Sequence, residues 1–134
     1  MEGSGERGGR RRSRRQRLSR SAEFDRVYRE GRSHANRYLV LYSFPREADG
    51  DSPRLGVSVG RKVGGAVERN RVKRLLRDAF WALAEELPDG HDFVVVARPE
   101  SGELASREGE PGVEQSLREL MEKAGLTRSE SEVA

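Results

Sequence analysis

Residues 60–81, GRKVGGAVERNRVKRLLRDAFW, constrain the fold more than any other stretch of this chain. Val72, Leu75, Leu76, Ala79, Phe80 and Leu83 recur at i, i+3, i+4 spacing, which predicts a helix over about 66–87 with one packed stripe. At 100° per residue, Asn70, Lys73, Arg74 and Arg77 fall within an arc of about 100° turned away from that stripe, with Arg69 and Arg71 on its borders. Cations this close repel one another, so the basic row calls for a partner with many negative charges. Acids interrupt the row only at its ends, at Glu68 and Asp78.

Composition narrows what else the chain can be. Its 134 residues suit one domain. Apolar residues make up 34%, below the usual level of about 45–50%, so only part of the chain can pack a core. A domain over 17–125 is expected, with an Arg/Gly-rich disordered tail over 1–16 and a second disordered tail over 126–134. No apolar run approaches the ~20 residues of a membrane span, and no apolar segment follows the first arginines as a signal peptide would require. The absence of cysteine excludes disulfides, thiolate chemistry and cysteine zinc sites, and fits a cytoplasmic location. The net charge of +3 hides an asymmetry: residues 1–80 carry 21 lysines and arginines against 10 acids, and residues 81–134 carry 5 against 13. Nearly all the cations are arginine, whose planar fork suits phosphate and stacks on bases.

The remaining elements read as follows. SAEFDRVYREG predicts a short helix that Ser21 can cap and Gly31 can end, with Phe24, Val27 and Tyr28 on one face. RYLVLYSFP predicts a strand over about 38–44, with Tyr38, Val40, Tyr42 and Phe44 on one face and Leu39 and Leu41 on the other. READGDSP reads as a polar turn, and RLGVSVG as a strand with Leu55, Val57 and Val59 facing one way. These two strands are expected to pair antiparallel. HDFVVVARP reads as a buried central strand, ESGELASREGEP as a loop, and GVEQSLRELMEKAGL as a final helix with Val113, Leu117, Leu120 and Met121 inward and Gly125 as its stop.

A basic helix face is most often just solvated. Here it is almost free of acids, it follows a glycine-rich entry that lets a backbone approach closely, and the chain adds aromatics beside it. Basic grooves with aromatic platforms bind single-stranded nucleic acid, and RNA is favoured over DNA. The arginine-rich tail is either a solvated segment or a phosphate-binding arm.

ERNRVKRLLRDAF resembles the Arg-Asn-Arg signature of the bacterial ribonuclease P protein subunit. RLSRSAEFDRVYREGRSHANRYLVLY, RLGVSVGRKVGGAVERNRVKRLLRDAF and DFVVVARP stand in that family's order and spacing, over about residues 17–125. The resemblance implies an α+β fold: a two-layer sandwich in the order αβββαβα, with a mostly antiparallel four-stranded sheet and a left-handed βαβ crossover, against the usual hand. A fourth strand is expected to be short or to come from splitting residues 38–59. The resemblance further implies partnership with a catalytic RNA that cuts the 5′ leader from precursor tRNA, with Mg2+ held by the RNA and none by the protein. Arg61, Lys62, Arg69, Asn70, Arg71, Lys73, Arg74 and Arg77 then match the surface for the catalytic RNA. Phe24, Tyr28 and Tyr42 match the leader cleft, and Asn36 and Arg37 its support. Gly65 departs from a frequent asparagine that would cap the basic helix, Tyr28 stands where phenylalanine is common, and Gly60 and Arg61 replace a frequent Ser-Lys pair.

Three rivals remain open at this point. A protein-only enzyme would need paired carboxylates, a nucleophile–base pair or metal-ligand spacing, and none appears around the isolated His34 and His91. An RNA-binding module of the ribosomal-protein or RNA-chaperone type, with no catalytic partner, fits the composition equally well. Membrane-surface binding would need an exposed apolar face, and the core needs this one. Neither a membrane nor an obligate protein partner is expected.

Overall fold

A computed structural model describes residues 16–18, 21–45 and 53–126. The elements are β1 (Gln16–Arg17), α1 (Ser21–Glu30), β2 (Arg32–Ala35), β3 (Leu39–Pro45), β4 (Arg54–Val59), α2 (Ala66–Leu83), β5 (His91–Ala97) and α3 (Ser101–Lys123), with 3-10 turns at Arg61–Val63 and Ala84–Glu86. Setting aside the two-residue β1, the order is the expected αβββαβα. The expected tails fall outside the described residues, except for Gln16, which pairs with Arg54, and Leu126, which packs on the core. Most of the polar turn READGDSP lies outside them too. Among the described residues, no helix is long and apolar enough to cross a membrane.

The sheet order is β1-β4-β5-β3-β2. The strand β5 is central because its run Phe93, Val94 and Val95 is buried on both faces. It pairs antiparallel with β3 and parallel with β4. The expected antiparallel pairing of β3 with β4 is therefore wrong, since β5 lies between them. The connection across residues 46–53 is too long to enforce a tight hairpin, and the most apolar strand takes the middle. The fourth strand is β2, which pairs with β3 and lies outside the 38–59 region that was expected to supply it. Its burial is too slight to give a period-two signal.

One sheet face carries Leu39, Leu41, Leu55, Val59, Phe93, Val95 and Ala97 against α2 and α3. The expected stripe on α2 is buried there: Val72, Leu76, Ala79, Phe80 and Leu83 are closed off, and Leu75 sits at the edge. On the opposite face α1 lays Val27 onto Val94, with Leu18, Phe24, Tyr42, Phe44 and Val96 around them. Tyr38 departs from its expected face. It precedes β3, packs on the α2–α3 side, and its hydroxyl accepts from Arg107 Nη2 at 3.4 Å.

Two local expectations also change. Ser21 is the first residue of α1 rather than its cap. ESGELASREGEP is helical, not a loop: α3 starts at Ser101 and bends at Gly109, whose φ of 66° and ψ of −155° break the helix. Ser101, Leu104 and Ala105 bury one side of the first segment. Pro111 falls in the first turn of the second segment, where a missing N–H has no partner to lose. Gly125 ends the helix with φ 71°, as expected.

A candidate RNA interface of a cationic helix and an aromatic sheet face

The basic helix is entered through two glycines. Gly65 is its N-cap and offers no side-chain hydrogen bond, so the helix start is left to its backbone. Arg61 and Lys62 are exposed in the turn before it. Along α2 the cations divide into rows. Arg69, Lys73 and Arg77 are half-buried on one flank, while Asn70 and Arg74 in the next row are exposed. Arg69 turns its Nε back to the Gly65 carbonyl at 3.4 Å. Arg71 lies on the other flank and is occupied, with Nη2 donating to Glu68 Oε2 at 2.6 Å and to Ser106 Oγ at 2.7 Å. It braces α2 against α3, which sequence spacing alone did not reveal.

The aromatic face is built by α1 and β3. Phe24 and Tyr28 stand at i and i+4, with ring centroids 6.3 Å apart. Tyr28 meets Tyr42 edge-to-face at 4.9 Å and is 38% exposed. Burial pushes the Tyr28 phenol above its ordinary value, opposed by a hydrogen bond with Ser58. Beyond Tyr42, the Arg26 guanidinium covers Phe44 at 5.3 Å. The rings reach the sheet because β4 has glycine where Phe24 lands: a Cβ at Gly56 would lie 2.6 Å from Phe24 Cζ.

The two surfaces meet in a groove of about 360 Å³ lined by Arg17, Leu18, Phe24, Leu55, Gly56, Val57 and Arg77. Arg77 comes from α2 and Phe24 from α1, so the cationic flank and the aromatic face each contribute one residue to the same cavity. Arg17 was missed because a two-residue strand carries no readable period. At one end of the sheet, Arg54 binds both oxygens of the fully buried Asp92 at 2.8 Å and reaches Glu23 of α1 at 3.3 Å. That network fixes α1 over the sheet.

Asn36 and Arg37 are not brought to the aromatic face. The Asn36 side chain holds the β2–β3 turn, accepting from the Tyr38 and Leu39 amides at 3.0 Å and donating to Ser116 O and Oγ at 3.0 Å. Arg37 pairs with Glu100 at 3.2 Å. His91 stacks on Phe93 at 5.7 Å, whereas His34 belongs to the edge strand β2. Among the described residues, no three His, Asp or Glu side chains are grouped to hold a metal ion.

Fold and site define a class: a small α+β domain that sets a cationic helix flank against an aromatic sheet face across one groove. The sequence profile of the ribonuclease P family matches residues 13–125. The chain is 43% identical over 111 residues to the ribonuclease P protein component of Clostridium acetobutylicum, covering 82% of this chain and 89% of that one. The RNase P protein of Staphylococcus aureus superposes with a TM-score of 0.73 at 32% identity, covering 83% of this chain and 96% of that one. A mutant of the S. aureus protein, described as defective in mRNA degradation activity, superposes at 0.72 with 31% identity, covering 82% and 88%. The chain belongs to the ribonuclease P protein family.

Proposed function

We propose that the chain is the protein subunit of a cytoplasmic ribonuclease P ribonucleoprotein, and that it assists removal of the 5′ leader from precursor tRNA. Catalysis is assigned to the RNA subunit, which also holds the Mg2+, and the isolated chain is inactive on precursor tRNA. The flank of Arg69, Lys73 and Arg77, with Asn70, Arg74, Arg61 and Lys62 beside it, faces the catalytic RNA. Phe24, Tyr28 and Tyr42 take unpaired leader bases, which mature tRNA lacks. Arg71 borders the catalytic-RNA surface and braces α2 through Glu68 and Ser106, while Asn36 and Arg37 act away from the aromatic face, tying the β2–β3 turn to Ser116 and Glu100.

The observation that carries this reading is the shared groove, which Arg77 and Phe24 both line, so that phosphate-binding and base-stacking chemistry border one cavity. Reconstitution tests it. Purified chain added to a bacterial ribonuclease P RNA should restore leader cleavage at low salt, and the chain alone should not cleave precursor tRNA. Failure to stimulate would leave an RNA-binding module without a catalytic partner. The description of the S. aureus mutant favours one second reading, an action on messenger RNA. Incubating the chain with mRNA, with and without the catalytic RNA, separates the two.

A further inference from the structure

Trp81 is the chain's only tryptophan, and it stands off the apolar stripe of α2. At 100° per residue it lies about 150° from the middle of the arc formed by Val72, Leu76, Ala79, Phe80 and Leu83. A helix position so far from the core needs no large ring, and an off-stripe aromatic is more informative than a buried one. The side chain is half-buried, meets Phe80 edge-to-face at 4.9 Å and touches the margin of the core. Its neighbours at i−4, i−8 and i−12 are Arg77, Lys73 and Arg69. These four form one i±4 ridge about 18 Å long. All four are half-buried, while Asn70, Arg74, Asp78 and Ala82 in the adjoining row are exposed. Of this ridge, Arg77 lines the groove that also holds Phe24 and Arg17.

We propose that Trp81 is a stacking platform for an unpaired nucleobase, at the end of an RNA strand whose phosphates lie along Arg69, Lys73 and Arg77. The inference rests on the reading of α2 as the RNA-facing helix. A ridge of cations alone would accept any polyanion. The indole at its end adds a flat π surface that a base of any identity can cover.

Because Trp81 is the only indole, tryptophan emission reports this position and no other. The full chain is titrated with ribonuclease P RNA, a single-stranded oligonucleotide, inorganic polyphosphate and polyglutamate, with binding followed separately by filter retention or anisotropy. The RNA and the oligonucleotide should quench emission at saturation, whereas polyphosphate should bind without quenching. Trp81→Leu should weaken oligonucleotide binding about 5- to 150-fold, and Trp81→Phe should retain most of the affinity. RNA that binds through α2 yet leaves emission unchanged overturns the proposal, as does equal quenching by polyphosphate or polyglutamate. RNA affinity that is indifferent to Arg69→Ala with Arg74→Ala removes instead the reading of α2 on which it rests.

Discussion

Gly56 offers a way to displace the aromatic face without deleting any of it. In Gly56→Ala the new Cβ would lie 2.6 Å from Phe24 Cζ, 2.8 Å from Cε2 and 3.3 Å from Leu18 Cβ. Ordinary contact begins near 3.4 Å, so the ring must retreat by about 0.8 Å, the difference between 3.4 and 2.6. The α1 backbone cannot easily follow, because Val27 is fully buried on the sheet and a Cβ at Gly31 would already meet Ser43 O at 2.6 Å. Overpacking of this kind costs about 1–3 kcal/mol, and replacing glycine in a strand returns about 0.5–1 kcal/mol. The net loss of about 0–2.5 kcal/mol lowers the melting temperature by about 4–8 °C per kcal/mol in a domain near 100 residues. A double-mutant cycle with Phe24→Ala isolates the contact. With the ring gone, Gly56→Ala should be nearly harmless, giving a coupling of about 0.5–3 kcal/mol. Precursor tRNA affinity of the reconstituted holoenzyme should fall in Gly56→Ala while mature tRNA affinity holds. Additive costs in that cycle would refute the seating of Phe24 on β4.

Three further outcomes are expected. Arg69→Ala with Arg74→Ala should weaken assembly with the catalytic RNA and leave the melting temperature within a few degrees, flattening the log–log salt dependence by about 0.7–0.9 for each phosphate no longer neutralised; an unchanged slope excludes α2 from the interface. Gly109→Ala puts a side chain at φ 66° and ψ −155°, so thermal unfolding should show a loss of about 1–3 kcal/mol, and parent-like stability would mean that the bend in α3 is not fixed there. Tyr28 has its phenol pushed above the ordinary 10.0, so the unfolded chain loses this proton first as pH rises, and stability from this group is whole below pH 10 and declines above it. Tyr28→Phe should remove that part of the alkaline decline in a denaturant titration, and an identical decline in both proteins would count against burial of the hydroxyl.

Much of this architecture was legible where one periodicity dominated. The α2 stripe, the two faces of β3 from Leu39 onward and the inward set of α3 follow from spacing, because each meets a single packed layer. The misreadings have physical causes. The parallel pairing of β4 with β5 was hidden because a strand does not announce its neighbour; the central place went to the chain's most apolar strand, and a long connection left β3 and β4 free to separate. In α3, Gly102, Gly109 and Pro111 read as breakers, although Gly102 is buried within the helix and Pro111 takes a first-turn position. Of the candidate site residues, Arg69, Lys73, Arg74, Arg77, Phe24, Tyr28 and Tyr42 fall on two surfaces that meet. Asn36 and Arg37 lie elsewhere, because short polar residues in a turn look the same whether they face a ligand or tie down the backbone.

The strand β4 links those two surfaces, and its six residues explain how they are held beside each other. Leu55 and Val59 enter the core beneath α2, while Gly56 receives Phe24 and Ser58 meets Tyr28 on the other side. From Val59 the chain passes through Gly60 and the Arg61–Val63 turn directly into the basic helix. At the other end, Arg54 joins Asp92 of β5 to Glu23 of α1. The spacing between Phe24 and Arg77 is thus set by a strand paired on its inner side along its whole length with β5, not by a loop. A strand of RNA lying across both would meet groups already in place, so little side-chain or backbone ordering is charged against binding. On the proposed reading, base stacking and phosphate contact would then reinforce each other through geometry alone, and substitutions that tilt α1 on β4 should weaken the aromatic side without touching a single cation of α2.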